Sequence, residues 1–427
     1  MTKAVDQMRL DGLTAEPSNH GRLFLDPKTV RITDLSSVRL LGCRVDTVRQ
    51  LYRGLIRPEL IPVIEQGGII QFAGHSWHAG RVGRDSGYQY KLQNADLGFV
   101  LLLKNFNVKI DVIGAHMKIE VSPHAIQSCP PEVLQDWMDR FAREAMEHME
   151  PNQCAVHLAL DVQGWTPPAD LIDLLQCRAR TRRDMSGIKQ VHYDGEAVSY
   201  GRGQSFLFGS ASGIQLALYN KSLQAWSIDK LDYWRSVWSA MDNPFDDQDD
   251  QNYDPEAPVW RIELRYHHSI VQQFADGSAD THTGAMIDSR TFAELAAHLD
   301  GLFQYGLQSF RLLSSKGVFD AFWTLMRQDV KVSIPAESLA GRTHYKRHFK
   351  TSQGFTGKNV ELFLGNFISL LARERVGAKK AFASLRAWAC WPVIRDHYAA
   401  KGKSEGDIYK HIQQLLTERT IRWGRAV

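Results

Sequence analysis

The chain has 427 residues, 44% hydrophobic and 23% charged, with a formal net charge of +3. Such a composition builds ordinary cores in two or three domains and excludes a disordered or fibrous chain. There is no apolar run of about 18 residues, no apolar N-terminal stretch and no C-x-x-C pair, so a cytoplasmic protein with reduced thiols, no signal peptide and no membrane span is expected.

Residues 1–37 show no periodic pattern and are expected to be loosely ordered. From about 38 to 121 strand signals dominate. Gly67-Gly68 precedes Ile69-Ile70-Gln71-Phe72, and segments 88–92 and 98–103 follow with turn residues between them. Such short spacings predict antiparallel pairing. The strand at 115–121 sets Met117, Ile119 and Val121 against His116, Lys118 and Glu120. Pro130-Pro131-Glu132 opens a helix expected to reach about residue 149, with Leu134, Trp137, Met138, Phe141 and Ala145 at three- and four-residue steps. A second alternating strand turns Val156, Leu158, Leu160 and Val162 inward and His157 and Asp161 outward. Arg178, Arg180, Arg182 and Arg183 then cluster in an expected loop. The cluster suits phosphate contacts and a solvated loop equally.

Segments 205–209 and 214–220 read as a hairpin. In its second strand Ile214, Leu216 and Leu218 point one way. Gln215, Ala217 and Tyr219 point the other, and Lys221 follows. A helix is expected over 223–241, then an acidic loop with Asp246, Asp247, Asp249 and Asp250. The strand at 259–268 sends Trp260, Ile262, Leu264 and Tyr266 to the core. Its other face carries Arg261, Glu263, Arg265 and His267.

Beyond about 289 the spacing is helical, at Phe292, Leu295, Leu299, Leu302 and Phe303 and again over 359–376, 378–398 and 404–420. This predicts a boundary near 275–288, between an α/β body over 38–280 and a basic all-helical domain over 285–427. Residues 341–427 hold 17 Lys and Arg against 6 Asp and Glu, a net +11 that leaves −8 for the rest. A polyanion partner and a solvated helical surface both account for this. The expected class is α+β: a largely antiparallel sheet with helices on one face, in two β-α-β-like halves, followed by the helical domain.

Four strands thus present polar groups on one face. A solvated sheet face does the same, and a tyrosine in such a strand is usually structural. The residue types permit more. Carboxylates from separate strands hold a hard divalent cation such as Mg or Mn, and histidine completes the shell or moves protons. Arginine grips phosphate oxygens, and tyrosine attacks a metal-polarised phosphorus. Other chemistries fit poorly. Gly354-Phe355-Thr356-Gly357-Lys358-Asn359 is no P-loop, since Ser352 stands where its first glycine belongs and Asn359 where its magnesium-binding hydroxyl belongs. H-E-x-x-H, G-x-S-x-G and the dinucleotide glycine pattern are absent from the sequence.

Phe206-Leu207-Phe208-Gly209-Ser210, then Leu216-Ala217-Leu218-Tyr219-Asn220-Lys221, then Trp260-Arg261-Ile262-Glu263-Leu264-Arg265 occur in that order. Together they resemble the replication initiation factor family, which comprises rolling-circle initiators of small plasmids and filamentous phages and relaxases of some integrative elements. The resemblance covers about residues 154–275. It implies a tyrosine that nicks one DNA strand at an origin, stays joined to the 5′ end and frees a 3′-hydroxyl. It gives that role to Tyr219, makes Asp161 and Glu263 candidate metal ligands, and sets Lys221 and Arg265 near the scissile phosphate. His157 and Glu120 are the next candidate ligands, and Arg261 joins the candidate DNA contacts. Family members often carry an acidic residue three positions after the lysine, where this chain has Gln224. The implied partners are origin DNA and a host helicase and polymerase, with a homodimer left open and no membrane. A relaxase acting on a transfer origin and a non-catalytic repressor remain alternatives.

Overall fold

The computed structural model describes residues 22–177, 182–184, 205–240, 252–278, 286–336 and 357–420. Arg178, Arg180, the acidic run 246–250 and residues 337–356 lie outside them. Among the described residues no helix is long and apolar enough to cross a membrane. The chain forms two compact units, 1–343 and 344–427.

The first unit is α+β. Strands β1 (Leu23–Asp26) and β2 (Arg31–Asp34) pair with each other. The main sheet uses β3 (Arg39–Ile56), β4 (Gly68–Phe72), β5 (His75–Arg81), β6 (Tyr88–Asn94), β7 (Phe99–Asn105), β8 (Gly114–Val121) and β9 (Met146–Gln163). After the short β10 (Leu175–Cys177) it continues with β11 (Arg182–Asp184), β12 (Ser205–Gly209), β13 (Ile214–Asn220) and β14 (Trp260–Tyr266). The order across the sheet is β11-β12-β13-β14-β9-β3-β8-β7-β6-β5-β4, with antiparallel neighbours. Strands β15 (Phe310–Ser315) and β16 (Val318–Phe319) join β10 in a small sheet, and β17 (Val332–Ser333) adds to β3 in parallel.

The 18-residue strands β3 and β9 form the middle of the sheet. Their alternation buries Val45, Val48, Val156, Leu158 and Leu160 together with Ile262 and Leu264 of β14. Helix α1 (Pro131–Ala145) lays Leu134, Met138, Phe141 and Ala145 on that face. Proline in its first turn lacks only an N–H that would be unpaired there anyway. The helix stops at Ala145 instead of near 149. Met146 is already extended and pairs with Ile56, so strand pairing overrides the helical spacing.

Strands β8 and β9, linked by α1, flank β3 as in a split β-α-β unit. The expected second half is not formed, because β13 and β14 are antiparallel neighbours. The single helix expected over 223–241 is two, α2 (Lys221–Ser227) and α3 (Leu231–Ser239). They are broken where Asp229 takes a left-handed φ of 57°.

The boundary expected near 275–288 lies instead at 343/344. Phe292, Leu295, Leu302, Phe303, Trp323 and Met326 bury into the same core as β9 and β14. Nor is this stretch all-helical, since β15 to β17 lie within it. The second unit is helical: α4 (Gly357–Arg373), α5 (Ala378–Arg386), α6 (Trp391–Ala399) and α7 (Glu405–Thr420), around Leu364, Ile368, Leu385, Ile394 and Ile412.

Candidate active site

Three cross-strand rows build the site on the sheet face opposite the main core. In one row Ser205, Tyr219, Arg261 and Asp161 stand abreast on β12, β13, β14 and β9. In the next stand Ala217, Glu263, Ala159 and Arg44. In the third stand Gln215, Arg265, His157 and Thr47. Two alanines flank Glu263. The longer side chains of the adjoining rows therefore reach its carboxylate diagonally.

A β-bulge adds a further acid. Val45 faces Leu158 and Thr47 faces His157, so β3 has one residue more than β9 at this point. That residue is Asp46. The bulge turns its carboxylate toward the site, where Arg261 Nη1 donates to Oδ1. One ligand atom from each of Asp46, His157 and Glu263 lies within 4.8 Å of the other two. Two carboxylates and an imidazole are a donor set that suits Mg or Mn.

Glu263 is the hub. Its Oε2 accepts the Tyr219 hydroxyl at 2.8 Å, and its Oε1 accepts Arg265 Nε at 2.9 Å and lies 3.1 Å from His157 Nδ1. Burial opposes its charge, but Arg265 and His157 outweigh burial and hold it well below the usual carboxylate range. Tyr219 is 5% exposed. Burial, and then the Glu263 charge, push its phenol well above the ordinary value, so it keeps its proton and donates it to Glu263. Burial lowers His157 despite its bond to Glu263, leaving a neutral imidazole, the form that binds metals.

Beside this hub lies a closed ion pair. Arg261 grips Asp161 in a fork, Nε to Oδ1 at 2.6 Å and Nη2 to Oδ2 at 2.7 Å. The Trp238 indole N–H also donates to Asp161 Oδ2 at 2.9 Å. The guanidinium lies 4.1 Å over the Trp234 ring.

Asn220 caps α2 by accepting the N–H of Leu223, which turns the chain from strand to helix just after Tyr219. Lys221 is thereby buried. Its Nζ donates to Gln224 Oε1 at 2.9 Å and sits 4.3 Å over Trp234 and 5.8 Å over Tyr219. Burial, then Arg261, lower its pKa to about 7. Asp46, His157, Tyr219, Lys221, Glu263 and Arg265 all line one open pocket of about 360 Å³.

A protein of Pseudomonas phage Pf1, the uncharacterized ORF430, is 53% identical over 412 residues, covering 96% of this chain and 95% of that protein. The chain belongs to the ORF430 family. Membership ties it to filamentous phage. No family model and no solved structure matches the chain.

In this ORF430-family chain the expected site residues take distinct settings. Tyr219, Glu263, His157, Lys221 and Arg265 converge. Glu120 lines the far wall of the pocket, paired to Lys118 at 3.0 Å and Arg49 at 3.3 Å. Asp161, expected as a metal ligand, has both oxygens committed to Arg261 and Trp238. Arg261, expected at DNA, is 2% exposed and serves as the counter-ion of Asp161 and Asp46. His267 leaves the strand face and caps the helix after β14. Arg182 and Arg183 belong to the edge strand β11 rather than a loop. Asp46 was not foreseen. Its signal is the interrupted alternation Val45-Asp46-Thr47-Val48, which marks a bulge only once both valines are known to be buried.

Proposed function

We propose that the chain is a rolling-circle replication initiator, a divalent-metal-dependent nickase that uses Tyr219 as its nucleophile. The observation that carries this reading is the Tyr219 hydroxyl hydrogen-bonded to Glu263, inside a group that can hold a cation, at a pocket bearing Lys221 and Arg265. Kinship with a filamentous-phage protein favours replication over conjugative transfer.

Asp46, His157 and Glu263 would hold the metal, which when bound supplies Lewis-acid polarisation of the scissile phosphate. Tyr219 Oη forms the bond to phosphorus while the bond to the 3′-oxygen breaks. The phenol proton passes to Glu263 Oε2. At rest Arg265 keeps that carboxylate a weak base. A phosphate oxygen in the pocket offers Arg265 another anion and loosens its hold on Glu263, while a cation held there would act the other way. The freed 3′-oxygen takes a proton from Lys221, whose pKa of about 7 suits a donor. The phosphotyrosine bond conserves the energy of the phosphodiester, so rejoining needs no nucleotide.

The burial of Tyr219 favours one alternative, a DNA-binding repressor that keeps the sheet without the chemistry. Supercoiled plasmid carrying the protein's own gene region, incubated with protein and magnesium, separates the two. The nickase gives open circles with protein on the 5′ end; the repressor leaves the plasmid supercoiled. Metal placement is read by calorimetric titration with Mn. Asp46→Asn and Glu263→Gln should lose binding and Glu120→Gln should keep it. The reverse pattern would move the ligand set to the far wall.

A further inference from the structure

Charge in the helical unit is unevenly spread. Between Leu362 and Arg395 six Lys and Arg stand against one acid, Glu374. Two of the six are already matched: Arg386 Nε lies 3.9 Å from Glu405 Oε2, and Arg395 Nη2 lies 3.1 Å from Asp396 Oδ1. Elsewhere in the unit Glu361 is held by Lys401 and His397, and Asp407 accepts from the Ser404 hydroxyl. What remains is the corner between α4 and α5. Arg373, Arg375, Lys379 and Lys380 are all exposed there, beside Glu374. Among the described residues none of these four cations has an ion pair or a side-chain hydrogen bond.

Three of the four stand where local physics disfavours them. The chain leaves α4 through a left-handed residue, with the Val376 N–H donating to the Leu371 carbonyl at 2.9 Å. Glycine is the default at such a position, yet the residue is Arg375, at a φ of 55°. Lys379 and Lys380 occupy the first turn of α5, at the positive end of the helix dipole, and no acid offsets them in that turn. Only Arg373, in the last turn of α4, suits its place. A solvated surface gains nothing from such placements, whereas a binding surface does. Residues 373–380 carry no aromatic ring to stack a single strand and no exposed large apolar side chain to enter a lipid bilayer. We infer that the α4–α5 corner docks on the phosphate backbone of duplex DNA. Such contacts hold DNA without reading its bases. The choice of DNA rests on the initiator reading; the anionic partner does not.

The full-length chain is titrated with a 20-base-pair duplex of arbitrary sequence across a salt series, without divalent metal so that no cleavage intervenes. The initiator reading stands or falls on nicking and is scored separately. Lys379→Gln with Lys380→Gln should weaken binding roughly tenfold or more and flatten the log–log salt slope by about 1.8, two phosphate contacts at about 0.9 each. Lys379→Arg with Lys380→Arg should keep both. Arg375→Gly should flatten the slope by about 0.9 and at the same time raise hydrogen-exchange protection in α4 and α5, because glycine relieves the left-handed turn. Arg395→Gln, whose charge Asp396 already matches, should leave the slope unchanged. No duplex binding by the parental chain would overturn the proposal, as would parental affinity and slope in both the double glutamine variant and Arg375→Gly. So would an equal loss in Arg395→Gln, which would make net charge the cause. So would phosphatidylserine vesicles that bind through Lys379 and Lys380 when the duplex does not.

Discussion

Strands β6 and β14 read alike in sequence and differ in the fold. Both alternate: Tyr88, Tyr90 and Leu92 against Gln89, Lys91 and Gln93 in β6; Trp260, Ile262 and Leu264 against Arg261, Glu263 and Arg265 in β14. In β6 the polar side stays partly exposed, whereas every residue of β14 is buried. The difference lies in what covers them. Helices α2 and α3 roof the polar face of β14, setting Trp234 on Arg261 and Trp238 against Asp161. A solvated polar face leaves its charges to water. A roofed one must neutralise them pair by pair, because an unpaired buried charge costs several kcal/mol. Pairing is complete between Arg261 and Asp161. Tyr219, Glu263 and His157 are paired with one another and with Arg265, yet they line the open pocket.

The largest effect is expected for Arg261→Met, which strands two carboxylates and should cost about 3–5 kcal/mol in urea unfolding. A loss below about 1 kcal/mol would mean that water reaches Asp161 and the roof is not closed.

Next comes the pH dependence set by Lys221. Its pKa is about 7 folded against 10.5 for the free side chain. Between those values the unfolded chain binds a proton that the folded chain does not. Stability should therefore rise with pH across that window, by up to about 1.4 kcal/mol per pH unit, and level off below it, where both states hold the proton. Lys221→Met should remove this slope; an unchanged slope would place the titrating group elsewhere. The smallest effect is expected for Lys91→Met on β6, within about 0.5 kcal/mol of the parent. A cost like that of Arg261→Met would show β6 to be as closed as β14.

Much of this architecture was legible in the sequence, and the failures have physical causes. Alternation alone placed Tyr219, Glu263, His157 and Arg265 on one face, because period-2 geometry is local. It could not separate Arg261 from Arg265. The two occupy equivalent positions, and only the roofing helices decide that one locks Asp161 while the other meets Glu263. Asp46 was hidden because a bulge cancels the very periodicity used to assign faces. The domain boundary was misplaced because the helical spacing at Phe292, Leu295 and Leu302 is the same whether a helix founds a new core or completes an old one. Those residues complete the old one.

Attack of the Tyr219 oxygen on phosphorus, as proposed, would leave a covalent product that can be trapped. The chain and its Tyr219→Phe variant are incubated with magnesium and plasmid carrying the protein's own gene region, then digested, and the DNA-linked peptide is sequenced. Losing one hydroxyl hydrogen bond to the charged Glu263 should cost about 1.5–3 kcal/mol, so the variant should still fold and bind DNA. A 5′ adduct on the peptide containing Tyr219, and none from the variant, is the expected outcome. An adduct formed equally well by Tyr219→Phe, or mapped to another tyrosine such as Tyr193, Tyr200 or Tyr266, would contradict it.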